Sequence, residues 1–217
     1  MQKRVAQKLR HVTTVSELSR RDIERDFGRP ASKTTLVYNG IDTDEFAPRP
    51  EITRKPAQLI TTSSADQPLK GLGILLDAIH RLKPYYPQLK LLVIGKLNPK
   101  GATAKKLKAL QLKDSVRFVS GITTEAMIQH YAESTIAVCP SLYEGFGLPA
   151  GEAMACGVPL ISSDGGALPE VVGDAGILVP AGDSLALEKA ITDLLDNPAK
   201  RAQLGAAGRQ HIDEKFC

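Results

Sequence analysis

The 217-residue chain contains no apolar run long enough to span a bilayer, which excludes a membrane-crossing helix. Met1-Gln-Lys-Arg-Val is basic but lacks the apolar core of a secretory leader. Cysteine is scarce: Cys139, Cys156 and Cys217 form no C-x-x-C pair, and the first two fall in apolar stretches, so neither a disulfide framework nor a zinc site is expected. The four histidines, His11, His80, His130 and His211, lack the spacing of metal ligands. Aromatic residues make up only 5% of the chain and offer no stacking platform, which argues against nucleic acid as a partner. No G-x-S-x-G is present, which removes a nucleophile-elbow hydrolase. The expectation is a soluble globular chain in a reducing cytoplasm, 42% hydrophobic, holding one full domain and part of another.

The charge is uneven. Residues 1–29 carry eight basic and four acidic side chains, which accounts for the whole net charge of +4. Within them, Ser16 to Gly28 reads as an amphipathic helix, with Ser16 as N-cap, Leu18, Ile23 and Phe27 apolar and Gly28 as stop. Such a helix could approach anionic lipid, giving peripheral contact at the inner membrane face, or an acidic acceptor. The four interleaved carboxylates favour the plainer reading, a solvated face belonging to a larger domain.

Beyond a Pro-rich stretch from Pro48 to Pro56, strand-like and helix-like patterns alternate. Strands are predicted at 59–62, 89–94, 116–119, 136–138, 159–162 and 176–179, and helices at 71–82, 103–110, 124–132, 149–156, 184–195 and 198–212. This pattern predicts an α/β fold, a Rossmann-like parallel sheet with helices on both faces. Ligands of such sheets bind beyond the C-terminal strand ends, where Lys70, Lys96, Ile122 and the 144–148 loop all fall.

The most informative stretch is Ser141-Leu-Tyr-Glu-Gly-Phe-Gly-Leu-Pro149, continuing through Glu152 to Gly157. It lies between two apolar runs and therefore at a strand-loop-helix junction. Pro149 suits a first helical position, so the helix N-terminus points out of the loop, and unpaired N–H groups from Leu148 to Gly151 would favour a diphosphate. Gly145 and Gly147 let backbone approach a ligand. Glu152, on the first helical turn, can accept hydrogen bonds from both hydroxyls of a ribose, whereas Glu144 lies nearer the sugar beyond the diphosphate. The stretch reads as a nucleotide-sugar site.

The Glu144-x7-Glu152 pair with its Gly-Phe-Gly-Leu interior, Gly165-Gly-Ala-Leu-Pro-Glu-Val-Val172, Gly176-Ile-Leu-Val-Pro180, Val37-Tyr-Asn-Gly-Ile-Asp42 with Phe46, and Lys70-Gly71 together resemble the donor half of a GT-B retaining glycosyltransferase of family 4, the group 1 glycosyltransferases. The resemblance covers nearly the whole chain. It implies residues 1–36 as the tail of an N-terminal acceptor domain, 37–56 as an interdomain linker and 57–217 as the donor-binding domain, in a truncated product without the acceptor site. It also implies sugar transfer from a nucleoside-diphosphate donor to an acceptor hydroxyl with retention, and no cofactor or required metal. Glu144 and Lys70 would be catalytic; Glu152, Gly145, Phe146, Gly147, Leu148, Ile122 and Lys96 would bind substrate. The acceptor could be a glycan, a lipid-linked species or a small molecule. One departure stands out: Ala65 occupies the position where the family carries an Arg on the diphosphate, so either Lys96 supplies a second cation or donor binding is weaker.

Two other readings compete. Gly145-Phe-Gly147-Leu-Pro-Ala150 with Asp164 satisfies the dinucleotide fingerprint of an NAD-dependent oxidoreductase, but Ser141 to Glu144 separate the strand from the first glycine, and Pro149 interrupts the approach. A donor domain without its acceptor partner would be a nucleotide-sugar-binding module without activity, because transfer needs both substrates held in a closed cleft.

Overall fold

A computed structural model describes residues 2–63 and 66–217. The chain opens with α1 (Gln2–Lys8), β1 (Val12–Thr14), α2 (Glu17–Phe27) and β2 (Thr34–Leu36). It continues through β3 (Gln58–Thr62), α3 (Leu72–Leu82), β4 (Lys90–Ile94), α4 (Ala102–Ala109), β5 (Val116–Val119), α5 (Thr124–Glu133) and β6 (Ile136–Cys139). The last elements are α6 (Leu148–Ala155), β7 (Leu160–Ser163), α7 (Leu168–Val172), β8 (Ile177–Val179), α8 (Ser184–Asp196) and α9 (Pro198–Lys215).

β3 to β8 form one parallel sheet in the order β5-β4-β3-β6-β7-β8. The order reverses between β3 and β6, and that switch point is where a doubly wound sheet opens a crevice at its C-terminal edge. The strands are apolar on both faces because helices cover both. Leu59, Leu91, Val93, Ile136, Val138 and Ile161 face the layer of α3, α4 and α8, whose Leu75, Leu76, Ile79, Leu107, Ile191 and Leu194 complete one core. The alternate positions Ile60, Leu92, Ile94, Ala137, Cys139 and Leu160 face α5, α6, α7 and α9 through Ile128, Tyr131, Met154, Val171 and Ile212. Each fully buried leucine or isoleucine contributes roughly 1.5–3 kcal/mol of apolar transfer energy.

β1 and β2 form a separate two-stranded parallel sheet. The buried guanidinium of Arg29 donates to the carbonyls of Ala6 (2.7 Å), Leu9 (2.8 Å) and Lys33, tying the end of α1 to this unit. α2 follows its caps: Ser16 Oγ accepts from Ser19 N, and Gly28, at φ 63°, terminates it through a bond to the Glu24 carbonyl. Its basic face is already neutralised. Arg20 and Arg21 pair with Glu17, and Arg25 pairs with Asp22 and Asp26, so three arginines stand against four carboxylates along the helix. These pairings fit the solvated-face reading of α2.

The predicted strands and helices of the large sheet are all present, with ends that match or differ by at most three residues. α1, β1, β2 and α7 were not anticipated: the strands are three residues long and threonine-rich, and α7 has only five residues. Phe216, just past α9, folds back onto the 37–46 segment, where its carbonyl accepts from Ile41 N at 2.7 Å and its ring meets Tyr38 and Phe146 edge-on.

Candidate functional site

Two loops meet at the switch point, one after β3 and one after β6. Pro68–Lys70 makes a 3-10 turn closed by Gly71 at φ 65°. A Cβ on Gly71 would lie 1.8 Å from the Pro140 carbonyl oxygen, so only glycine allows this approach. Leu142 N donates to the Leu69 carbonyl at 2.7 Å and locks the loops together. Lys70 thereby reaches Glu144: its Nζ lies 2.8 Å from Oε1, and Ser141 Oγ donates to the same oxygen at 2.7 Å. Both partners use Oε1, which leaves Oε2 for a ligand.

The Glu144 backbone is fixed from below. Ala167 N donates to its carbonyl at 2.8 Å, and Gly166 forms a parallel bridge with it. Gly165 and Gly166 pack so closely that an added Cβ would come within 2.4 Å of the Ser141 carbonyl oxygen and 2.3 Å of the Glu144 carbonyl oxygen. Ser163 Oγ donates to the Ser141 carbonyl. The Gly165-Gly166 pair is thus the platform on which the Glu144 loop rests.

α6 starts after Gly147, whose φ of 109° favours glycine, and a Cβ there would press on Leu168 Cδ2. The expected anion cradle is narrower than Leu148 to Gly151. Pro149 has no N–H, and the amides of Ala150 and Gly151 both turn back to the Gly147 carbonyl, at 3.0 and 3.2 Å. Leu148 N–H is the one of that set without a protein partner among the described residues. The cause is the tight first turn that Gly147 allows, which satisfies the orphan donors internally.

Glu152 has a different environment. It is half-buried and faces no cation, and burial pushes its carboxyl above the ordinary glutamate range, while a long contact from Tyr131 Oη (3.5 Å to Oε2) opposes the shift. Tyr131 is fully buried in α5 and also reaches the Pro149 carbonyl (3.3 Å) and Thr62 Oγ1 (3.4 Å), so it connects Glu152 to the end of β3. Tyr131 and Ser141 escaped sequence reasoning. Tyr131 carried no signal beyond an apolar helix position, whereas Ser141, three residues before Glu144 in a loop, was at least in reach.

The remaining candidates divide. Gly145 has open space where a Cβ would stand, and its carbonyl accepts from Ser19 Oγ of α2 at 3.4 Å. The Phe146 ring is buried between Tyr38 and Phe216, so only its backbone can face a ligand. Leu148 is 41% exposed at the helix start. Ile122, next to Gly121 at φ 69°, is half-buried and packs against the core beside α5. Lys96 is exposed after β4 and makes no ion pair with Glu144 or any other described carboxylate. Ala65 lies outside the described residues. Burial, reinforced by the nearby Glu144 and Glu152 charges, pushes the thiols of Cys139 and Cys156 up to about 11 and about 12, which keeps both neutral and unreactive.

The N-terminal unit touches this site. The α2 amides of Glu17 and Leu18 donate to the Glu170 carboxylate at 2.7 and 2.8 Å, and Tyr143 Oη donates to Asp22 at 2.7 Å.

Known proteins share this fold. A 30%-identical solved structure, sucrose-phosphate synthase from Thermosynechococcus elongatus, superposes with a TM-score of 0.85 over 99% of this chain and 56% of that one. The chain is 41% identical, over its full length and 53% of the relative's, to an MMP alpha-(1->4)-mannosyltransferase of Mycolicibacterium hassiacum. It is 31% identical, over 91% of itself and 56% of the relative, to a GDP-mannose-dependent alpha-(1-6)-phosphatidylinositol monomannoside mannosyltransferase of Mycolicibacterium smegmatis. The chain thus spans about half the length of these curated relatives. Residues 1–45 match the family described as Glycosyltransferase Family 4. The match to the family described as Glycosyl transferases group 1 runs over residues 43–211 and takes in every element of the large sheet, and to that family the chain belongs.

Proposed function

We propose that this chain carries the donor site of a retaining glycosyltransferase that takes a mannosyl group from GDP-mannose and passes it to an acceptor hydroxyl. The observation that carries the proposal is the Lys70–Glu144–Ser141 cluster beside the start of α6, with Glu152 on the first turn of that helix. The mannosyl donor is suggested by the names of the two relatives, one of which specifies GDP-mannose.

In this reading Glu152 accepts bonds from the ribose hydroxyls. Lys70 and the Leu148 N–H meet the diphosphate and stabilise the charge that develops on it as the glycosidic bond breaks, so that no metal is required. Glu144 uses its free Oε2 on the sugar hydroxyls and steadies the oxocarbenium-like transition state. With Oε1 already shared by Lys70 and Ser141, orientation suits Glu144 better than nucleophilic attack. Ile122 packs toward the nucleobase, and the 145–148 backbone orients the sugar and phosphate. Lys96 is the cation available for the position of Ala65.

We also propose 1–36 as part of an acceptor domain, 37–56 as linker and 57–217 as the donor domain. A two-stranded parallel sheet has too little area to bury a face alone, which supports assigning β1 and β2 to a larger sheet. The acceptor is a glycan, lipid-linked or small-molecule hydroxyl at a cytoplasmic site, and no described helix is long and apolar enough to cross a membrane. Transfer, as distinct from donor binding, needs both substrates enclosed.

Isothermal titration with GDP, UDP and ADP, repeated on Glu152→Ala, tests the reading. GDP binding in the micromolar-to-millimolar range that disappears in the variant supports it; no binding of any nucleotide refutes it.

A further inference from the structure

The opposite edge of the same sheet has a different character. Gln58, Lys90 and Val116 are the first residues of β3, β4 and β5, and around them lies a cavity of about 430 Å³. Its walls include Lys55, Lys90, Lys113 and Arg117, with Asp114 as the single carboxylate. Lys90 Nζ donates to the Asp114 backbone carbonyl at 2.8 Å and leaves that carboxylate uninvolved. Lys55 pairs with Glu133 at 2.6 Å, whereas Lys113 and Arg117 are exposed and form no ion pair with any described residue.

Arg117 sits on the edge strand β5, where a charge also discourages pairing with another chain. That role needs one side chain on one strand. It does not account for lysines from the segment before β3, the start of β4 and the turn after α4 converging on one concavity. Gathered cations repel one another, and an anion relieves that repulsion.

We infer that the starts of β3, β4 and β5 form a binding site for a phosphate-bearing ligand, distinct from the donor site. β3 has five residues, so the two sites lie roughly 15 Å apart along it at opposite ends of the strands. The ligand is a phosphate group either free in solution or on a lipid headgroup, and the site owes nothing to the glycosyl-transfer reading.

The test uses the full chain and two probes: inorganic phosphate by titration, and sedimentation with phosphatidylcholine vesicles with and without phosphatidylglycerol. The variants are Lys113→Glu/Arg117→Glu, its milder counterpart Lys113→Gln/Arg117→Gln, and Lys70→Ala to remove phosphate binding at the donor site. Both substituted positions are exposed, and a circular-dichroism melt checks the fold. The expected result is binding that survives Lys70→Ala, and that weakens roughly tenfold or more in the charge-reversed variant and less in the glutamine variant, with GDP affinity unchanged in both Lys113/Arg117 variants. Binding of phosphate alone identifies a soluble ligand, and binding of anionic vesicles alone identifies a headgroup; either supports the site. Failure to bind both probes, binding indifferent to the Lys113 and Arg117 changes, or equal sedimentation with pure phosphatidylcholine overturns it.

Discussion

The two glutamates of the site lie eight positions apart in sequence and in opposite environments. Glu144, in the loop after β6, shares one carboxylate oxygen with Lys70 and Ser141, and the Gly165-Gly166 platform holds its backbone. Glu152, on the first turn of α6, is half-buried without a cation, and its charged form is disfavoured by desolvation. A carboxylate already paired has been oriented by the fold. A carboxylate left short of donors is poised to gain them from a ligand, because polar groups removed from water are stabilised most by new hydrogen bonds. In the proposed reading, that contrast goes with donor binding at Glu152 and transfer at Glu144.

The contrast can be broken most severely at Glu144. In a complete enzyme, Glu144→Gln is expected to lower turnover about 10²–10³-fold, the size of loss seen when one preorganised transition-state contact is removed, with little change in donor KM. Steady-state kinetics decides it; a rise in KM at constant kcat would move Glu144 to the binding side.

Glu152→Ala should weaken donor binding roughly 10–150-fold, the equivalent of about 1.5–3 kcal/mol for hydrogen bonds to a charged group. Titration with GDP measures it directly.

The link between the loops is sharpened by Gly71→Ala. A left-handed conformation costs a non-glycine residue about 1–3 kcal/mol, and the clash with the Pro140 carbonyl adds to it. The expected outcome is a lower denaturation midpoint together with weaker GDP binding, since the turn that carries Lys70 would shift and take its ammonium away from the diphosphate position. A stable variant with wild-type affinity would show that the loop junction does not matter.

The smallest expected effect is on stability. Because Glu152 has a raised pKa in the fold, the folded chain holds more protons than the unfolded chain between the ordinary glutamate value and the raised one. Stability therefore falls as pH rises through that window, and at neutral pH the charged form is a net cost. Glu152→Gln should melt above the wild type at neutral pH, by roughly 2–4 °C for each kcal/mol relieved, and the gap should close below the ordinary glutamate pKa. Calorimetry of the ligand-free chain at both pH values checks the sign.

Much of this site could be read before the fold was seen. The apolar strand runs marked the sheet because a parallel sheet covered on both faces leaves no polar alternation to confuse the pattern. Ser16, Gly28 and Pro149 marked helix ends because capping is local chemistry. The meeting of Lys70 with the Glu144 loop was legible, because both fall at C-terminal strand ends; what escaped were the side-chain contacts themselves, the Lys70–Glu144 ion pair across 74 residues and the Tyr131 contact to Glu152 across 21. The amides of Ala150 and Gly151 were misjudged because the turn at Gly147, with φ of 109°, brings its carbonyl round to accept from both. Phe146 was placed correctly in the loop, but its ring faces Tyr38 and Phe216, two partners distant in sequence.

The division of labour is tested most directly by titrating GDP into the wild type, Glu144→Gln and Glu152→Ala side by side. The account predicts that Glu144→Gln binds GDP at least as tightly as the wild type, because Lys70 is released from its ion pair to meet the diphosphate, while Glu152→Ala loses tenfold or more. Equal losses in the two variants would contradict it.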